Sequence, residues 1–271
     1  MKLKTQLPKI YQVLLVPELL EAEVIETKAT CNNCSMSPPQ NKKAPFYKPD
    51  LKCCTYYPYL PNYLVGGILR DKEKLTPGLK SVMNGIIKRR QYALPIGIVA
   101  PVSYQVPFNQ RKEGDFGQRA DWLCPYFQKE TSNCGIWEWR GGVCSTFFCQ
   151  SNYGSNGLKF WGELNEYLNY VEMALMEEAL VQLDFSPRQI SDMLDFINRK
   201  EGDPAEMESL YLPEKKARAL WNGYFDDQEG FYLKCLEITE KLDRNTFEDA
   251  LGNMGKKIER TLLKKLNALK L

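Results

Sequence analysis

Eight of the chain's nine cysteines fall between Cys31 and Cys149, and its 271 residues include no histidine. Without imidazole the commonest general base is missing. So are the Ser/His/Asp and Cys/His catalytic arrangements and every zinc site that uses histidine. A transition-metal site in this chain therefore rests on thiolate, with carboxylate or water in support. The thiols are spaced as Cys31-x2-Cys34, then 18 residues to the doublet Cys53-Cys54, then 69 residues to Cys124. Cys134 and Cys144 follow at intervals of ten, and Cys149 closes the set. Two residues between thiols let both sulfurs face one ion from a tight turn. That spacing is also used by redox disulfides, but no βαβ pattern surrounds it.

The eight lie in loop-like, Gly- and Pro-rich surroundings, where packing is a poor explanation for thiols. The expected metal ligands are therefore Cys31, Cys34, Cys53, Cys54, Cys124, Cys134, Cys144 and Cys149. Side chains of adjacent residues diverge, so Cys53 and Cys54 divide between ligation and support, or reach different metal atoms. Cys235, within Tyr232-Leu233-Lys234-Cys235-Leu236, reads as core. Four-cysteine zinc sites usually come as two close pairs, and only Cys31-x2-Cys34 has that form. Cuboidal iron–sulfur clusters accept irregular spacing because each thiolate meets a different corner. Iron–sulfur is thus the expected cofactor, with zinc as the alternative. Tyr56, Tyr57, Tyr59, Trp122, Tyr126, Phe127, Trp137, Trp139, Phe147 and Phe148 stand near the thiols in sequence. They form either a water-excluding shell or simply the core of a loop-rich region.

Cys124-Pro125-Tyr126-Phe127, Cys134-Gly135-Ile136-Trp137-Glu138-Trp139-Arg140, Cys144 and Phe147-Phe148-Cys149 together resemble the YkgJ-like cysteine-cluster family, described as a zinc- or iron-chelating domain. In that family an N-terminal Cys-x2-Cys and a Cys-Cys doublet precede a run of four cysteines with an arginine among them. The resemblance covers about residues 31–149 and implies the same eight ligands. Here Arg140-Gly141 stands in place of Arg-Pro, Ser145 replaces an arginine, and a proline-rich insert displaces the doublet. Flagellin lysine-N-methylases carry a similar cysteine pattern, which admits a protein-modifying role. No glycine-rich strand–turn–helix signature for a methyl-donor nucleotide is present.

Three functions follow as expectations: an iron–sulfur protein in redox, electron transfer or cluster handling; a metalloenzyme modifying a protein or small molecule; and a structural zinc module for protein interaction. For the second, Arg140, Glu138, Tyr126 and Asp121 lie beside the ligands and could bind an anion or move a proton. A plain hydrogen-bonding or ion-pairing role explains Arg140 and Glu138 more simply. A protein substrate or a redox partner is left open.

The elements that must position these residues fall into two regions. Residues 1–150 read as a loop-rich cysteine-cluster region and residues 151–271 as a helical region of four to six helices, giving a mainly α fold. Pro38, Pro39, Pro45 and Pro49 mark residues 36–49 as an extended loop. The segment 75–90 reads as a helix, with Thr76 as N-cap and Pro77 at its first position. Residues 93–104 are β-branched but broken by Pro95 and Pro101, which suggests an edge strand or an extended segment. Residues 151–157 read as a linker.

Beyond it, Phe160, Leu164, Tyr167, Leu168, Val171, Leu175, Ala179 and Leu183 predict one amphipathic helix of roughly six turns. Ser186-Pro187-Arg188-Gln189 is a capping box that opens a second helix, and Asp203-Pro204 starts another. Further helices are expected after Pro213, through Tyr224, and over residues 231–242 and 247–269. Gly252 and Gly255 weaken the start of the last.

Composition limits the remainder. Apolar residues at 44%, charged residues at 26% and a net charge of +2 match an ordinary globular chain and give no electrostatic case for nucleic acid. No stretch approaches the roughly 20 apolar residues of a spanning helix. Val13–Val16 is too short for a signal-peptide core. The expectation is a cytoplasmic protein in which clustered cysteines serve metal, not disulfides.

Overall fold

Pro17 breaks the apolar N-terminus into two one-turn helices, α1 (Tyr11–Leu14) and α2 (Pro17–Leu20). The computed structural model describes residues 2–26, 34–37, 47–71 and 77–269. Cys31, Thr76 and the prolines at 38, 39 and 45 lie outside them. The chain then runs through β1 (Leu60–Pro61) into α3 (Asn62–Arg70), α4 (Pro77–Lys80), β2 (Ala93–Leu94), β3 (Gly97–Ile98) and α5 (Val102–Asn109). A short hairpin, β4 (Phe127–Gln128) and β5 (Asn133–Cys134), leads to α6 (Gly142–Thr146). Six helices complete the chain: α7 (Gly154–Gln182), α8 (Pro187–Leu194), α9 (Pro204–Glu208), α10 (Glu214–Leu220), α11 (Gln228–Glu240) and α12 (Arg244–Leu269). The protein is mainly helical, with a cysteine-bearing region of short elements and a C-terminal helical region.

Several elements differ from the sequence expectation. The helix of residues 75–90 starts at α4 but widens to π-helical winding over Ser81–Ile87, while still burying Leu79, Val82, Ile86 and Ile87. Residues 93–104 are not one edge strand. β3 is the central strand of an antiparallel sheet ordered β1-β3-β2, with Ile98 opposite both Leu60 and Ala93. β3 ends at Ile98, and Val102–Tyr104 already belong to α5, which the extended Pro101 enters at its N-cap. The expected linker is short. Gly154–Gly157 form the first turn of α7, leaving only residues 151–153 as loop.

The helical half follows its caps. The Ser186 hydroxyl accepts from the Gln189 N–H and opens α8, and Asp203 does the same for Glu206 in α9. The helix after Pro213 stops at Leu220, with Trp221 and Tyr224 beyond its end. In α12, Gly252 has φ +62° and ψ −172°, so two helical segments meet at a kink. Across it, Arg244 in the first segment pairs with Glu259 in the second (2.9 Å). Fifteen residues of straight helix would separate them by about 22 Å, so this pair requires the chain to turn at Gly252.

One hydrophobic core runs from Leu3 to Leu266 and takes residues from both halves. α3, buried on all faces, packs on α11, and α6 and α12 pack on α7. Cys235 is completely buried on α11, as expected of a core residue. No helix among the described residues is long and apolar enough to cross a membrane.

Candidate metal centre

Three cysteines of the late run are each placed by a different local device. Cys124 follows a 3-10 turn (Ala120–Trp122), and its N–H donates to the Cys54 carbonyl (2.8 Å). That bond joins the doublet to the late run across the 69-residue separation. Cys134 sits on β5 opposite Phe127, and the Gly135 N–H donates to the Tyr126 carbonyl (2.8 Å). Here α4 presses on the hairpin: a Cβ on Gly135 would stand 2.7 Å from the Gly78 Cα. Only a residue without a side chain allows this approach. Cys144 lies on α6, whose first N–H, from Gly142, donates to Glu172 Oε1 on α7 (2.6 Å).

The earlier cysteines are laced in from the other side. The Cys54 N–H donates to the Leu51 carbonyl (3.1 Å). Lys52, with φ +54°, donates through Nζ to the Ser132 carbonyl (2.8 Å). The Tyr47 N–H reaches the Met36 carbonyl (2.7 Å), and Ser35 Oγ lies 3.9 Å from Cys149 Sγ.

The result is a cavity of about 1060 Å³ with Cys53, Cys54, Cys124, Cys134 and Cys144 in its wall. Thiol electrostatics extend the grouping. Burial and then the Cys144 and Cys134 charges push the Cys124 thiol up. Cys144, whose side chain is accessible to solvent, is raised likewise by the protein packed around it and by the Cys134 and Cys53 charges. Cys53 is raised first by its hydrogen bond with Cys54 and then by burial. Cys149 is raised by burial and by Cys34 and Cys53. Two neighbourhoods emerge, Cys124/Cys134/Cys144 and Cys34/Cys149, with Cys53 acting on both. Tyr47 and Tyr56 report the same geography. Both are pushed up to about 12 by burial, with Cys149, Cys53 and Cys34 contributing at Tyr47 and Cys144 at Tyr56.

The expected ligands within the described residues are thus brought to one region from widely separated stretches; Cys31 lies outside those residues. Among the described residues, no group of three or more cysteine, aspartate or glutamate side chains is arranged to hold a single metal ion. As a donor set, the thiols suit a soft metal or an iron–sulfur group. The raised proton affinity of Cys53, Cys124, Cys144 and Cys149 means that a cation bound by them must displace those protons.

The other expected residues divide. Arg140 and Tyr126 line the cavity, whereas Asp121 pairs with Arg119 at the surface (2.5 Å). Glu138 is exposed and is not in the described wall. Arg140 is buried. Its Nε donates to Ser145 Oγ (3.2 Å), its Nη2 donates to the Gln6 carbonyl (3.0 Å), and its guanidinium covers the Trp137 ring at 3.3 Å. Of the expected aromatic shell, Tyr56, Tyr126, Phe127, Trp137, Phe147 and Phe148 line the cavity. Tyr57, Tyr59, Trp122 and Trp139 pack elsewhere. Tyr59 donates to the Ile96 carbonyl, and the Trp139 indole donates to Asp71.

Sequence reasoning missed Arg111, Phe108, Phe116 and Glu26 in the wall, and Glu172 behind it. Glu172 accepts from the Gly142 N–H and from the Tyr11 hydroxyl (2.8 Å), and burial pushes its carboxyl up to about 7. One signal was available for it: Glu172 stands four residues after Leu168 on the apolar stripe of α7, where a charge is out of place. No family model matches the chain, and no curated protein or solved structure matches it either.

Proposed function

We propose that this chain is an iron–sulfur protein whose cluster or clusters are held by Cys31, Cys34, Cys53, Cys54, Cys124, Cys134, Cys144 and Cys149, and that it works in redox, electron transfer or cluster handling. The observation that carries the reading is the assembly of the doublet Cys53-Cys54 with Cys124, Cys134 and Cys144 around one largely apolar cavity, with Cys34 and Cys149 acting on each other and on Cys53 beside it. Packing alone gives no reason for thiols to converge from such distances along the chain. Their spread along a wall, instead of around a point, suits several metal atoms better than one ion. The resemblance to the YkgJ-like family, with its zinc- or iron-chelating description, points the same way.

An iron–sulfur group supplies one-electron transfer. The chain's own part is to hold the thiolates, to exclude water with Phe127, Phe148 and Tyr126, and to tune the group through burial and the Arg140 cation, which eases deprotonation at Cys144. The test is metal and acid-labile sulfide per chain in protein purified without oxygen. Iron and sulfide in near-equal amounts, with broad visible absorbance, are expected. Cys144→Ser should lower both, and Cys235→Ala should leave both unchanged. Colourless protein with stoichiometric zinc and no iron would replace this reading with the zinc alternative.

A further inference from the structure

The cavity is larger than its thiols require. A mononuclear thiolate site places every sulfur about 2.3 Å from one centre. The volume here, about 1060 Å³, lies just above the range of roughly 300–1,000 Å³ typical of small-molecule pockets. Its wall away from the thiols is built from rings and cations. Phe108, Phe116, Trp137 and Phe147 supply the rings. Trp137 and Phe147 are 48% and 44% exposed, unusual for large aromatic side chains. Leaving such area in water is unfavourable by about 25 cal/mol per Å², a penalty that a bound apolar group removes.

Two arginines and one carboxylate stand among the described wall residues. Arg111 lies 4.4 Å over the Phe108 ring and is anchored there by donating to the Phe108 carbonyl (3.0 Å). Arg140 lies over Trp137. Both cations are therefore presented together with an aromatic surface. Glu26 is the only carboxylate among the described wall residues. Its oxygens already accept from the Ser151 hydroxyl (2.5 Å), the Asn152 N–H (2.7 Å) and the Trp161 indole (2.8 Å). It is thus committed to holding the start of α7.

From rings, guanidinium groups and volume together, we infer that the cavity is a binding site for a small aromatic organic anion, such as an aromatic carboxylate, held beside the cysteine cluster. The aromatic body packs on Phe116, Phe147 and Trp137, and the anionic group faces Arg111 and Arg140. This deepens the reading above and rests on it for the nature of the neighbouring metal. It makes the protein one whose cluster acts next to a bound organic molecule.

The test uses the full chain purified without oxygen, with its iron content measured in the same sample. The probes are naphthalene-2-carboxylate and its uncharged carboxamide, titrated by calorimetry. Saturable binding of the carboxylate is expected, at least tenfold tighter than that of the carboxamide. Arg111→Gln should weaken carboxylate binding about tenfold, the effect of losing roughly 1.4 kcal/mol. Val143→Phe, which fills the cavity from α6, should abolish binding of both probes while the far-ultraviolet circular dichroism stays unchanged. Iron-loaded protein that binds neither probe overturns this inference and leaves the cluster reading intact; eight irons per chain with no binding would mean that two clusters occupy the space. Equal binding of the two probes, or binding unchanged in both variants, also overturns it. Binding in protein without iron supports the site and overturns the cluster reading.

Discussion

Glu172 shows how one side chain can govern a site without lying in its wall. It accepts the leading N–H of α6, the element that carries Cys144, and its carboxyl is pushed up to about 7 because the surroundings are apolar. A carboxyl whose folded pKa is raised gives the fold an advantage that is fully present below about 4.5. That advantage is lost as pH rises through about 7, because the native state binds the proton that the unfolded chain has released. Stability should therefore decline across this window by an amount on the order of 3 kcal/mol. Glu172→Gln keeps an oxygen for Gly142 and removes the titration. Urea unfolding followed at pH 5, 6 and 7 should show a flatter profile in the variant, and coincident profiles would refute the assignment. At this scale the thiols were legible from type and spacing. Arg111 and Phe116 were not, since nothing local distinguishes a wall arginine or phenylalanine from any other; only the turn of the chain brings them to the cavity.

At the scale of elements, Gly252 makes a sharper case. Its backbone lies in a region that residues with a Cβ rarely occupy, and the Arg244–Glu259 pair depends on the turn made there. The same arginine donates to the Leu14 carbonyl (2.7 Å), and Glu259 also accepts from the Tyr167 hydroxyl, so the kink fastens α12 to both α1 and α7. Gly252→Ala should destabilise by about 1–3 kcal/mol, measured as a lower urea midpoint with an unchanged slope. An unchanged midpoint would mean that the kink relaxes without strain. Elements with a local signature were readable: the capping boxes at Ser186 and Asp203, and the stripe of α7. α3 escaped because Asn62–Leu69 is buried on every side, leaving only Arg70 exposed and no polar face to set a period. The sheet escaped because its strands are two residues long, too short for alternation to register. The kink was visible only as a weakness, since sequence shows that Gly252 permits a turn but not that a distant ion pair uses it.

For the molecule as a whole, the two regions share one core. α3 rests on α11, α6 rests on α7, and Tyr11 hydrogen-bonds to Glu172 across 161 positions. Unfolding should therefore be a single transition, with near-ultraviolet circular dichroism and tryptophan fluorescence coinciding. A fragment of residues 151–271 should lack the native near-ultraviolet signal. Two resolved transitions would show that the regions are energetically separate. The dependence of α6 on Glu172 also has a consequence for biosynthesis. All the clustered cysteines leave the ribosome before the α7 residues that fix Cys144. At 5–20 residues per second, the nascent chain spends on the order of seconds with its thiols translated but their cavity unfinished. On the proposed cluster reading, metal delivery is tied to completion of the helical half, and until then the thiols are open to oxidants and to mispairing.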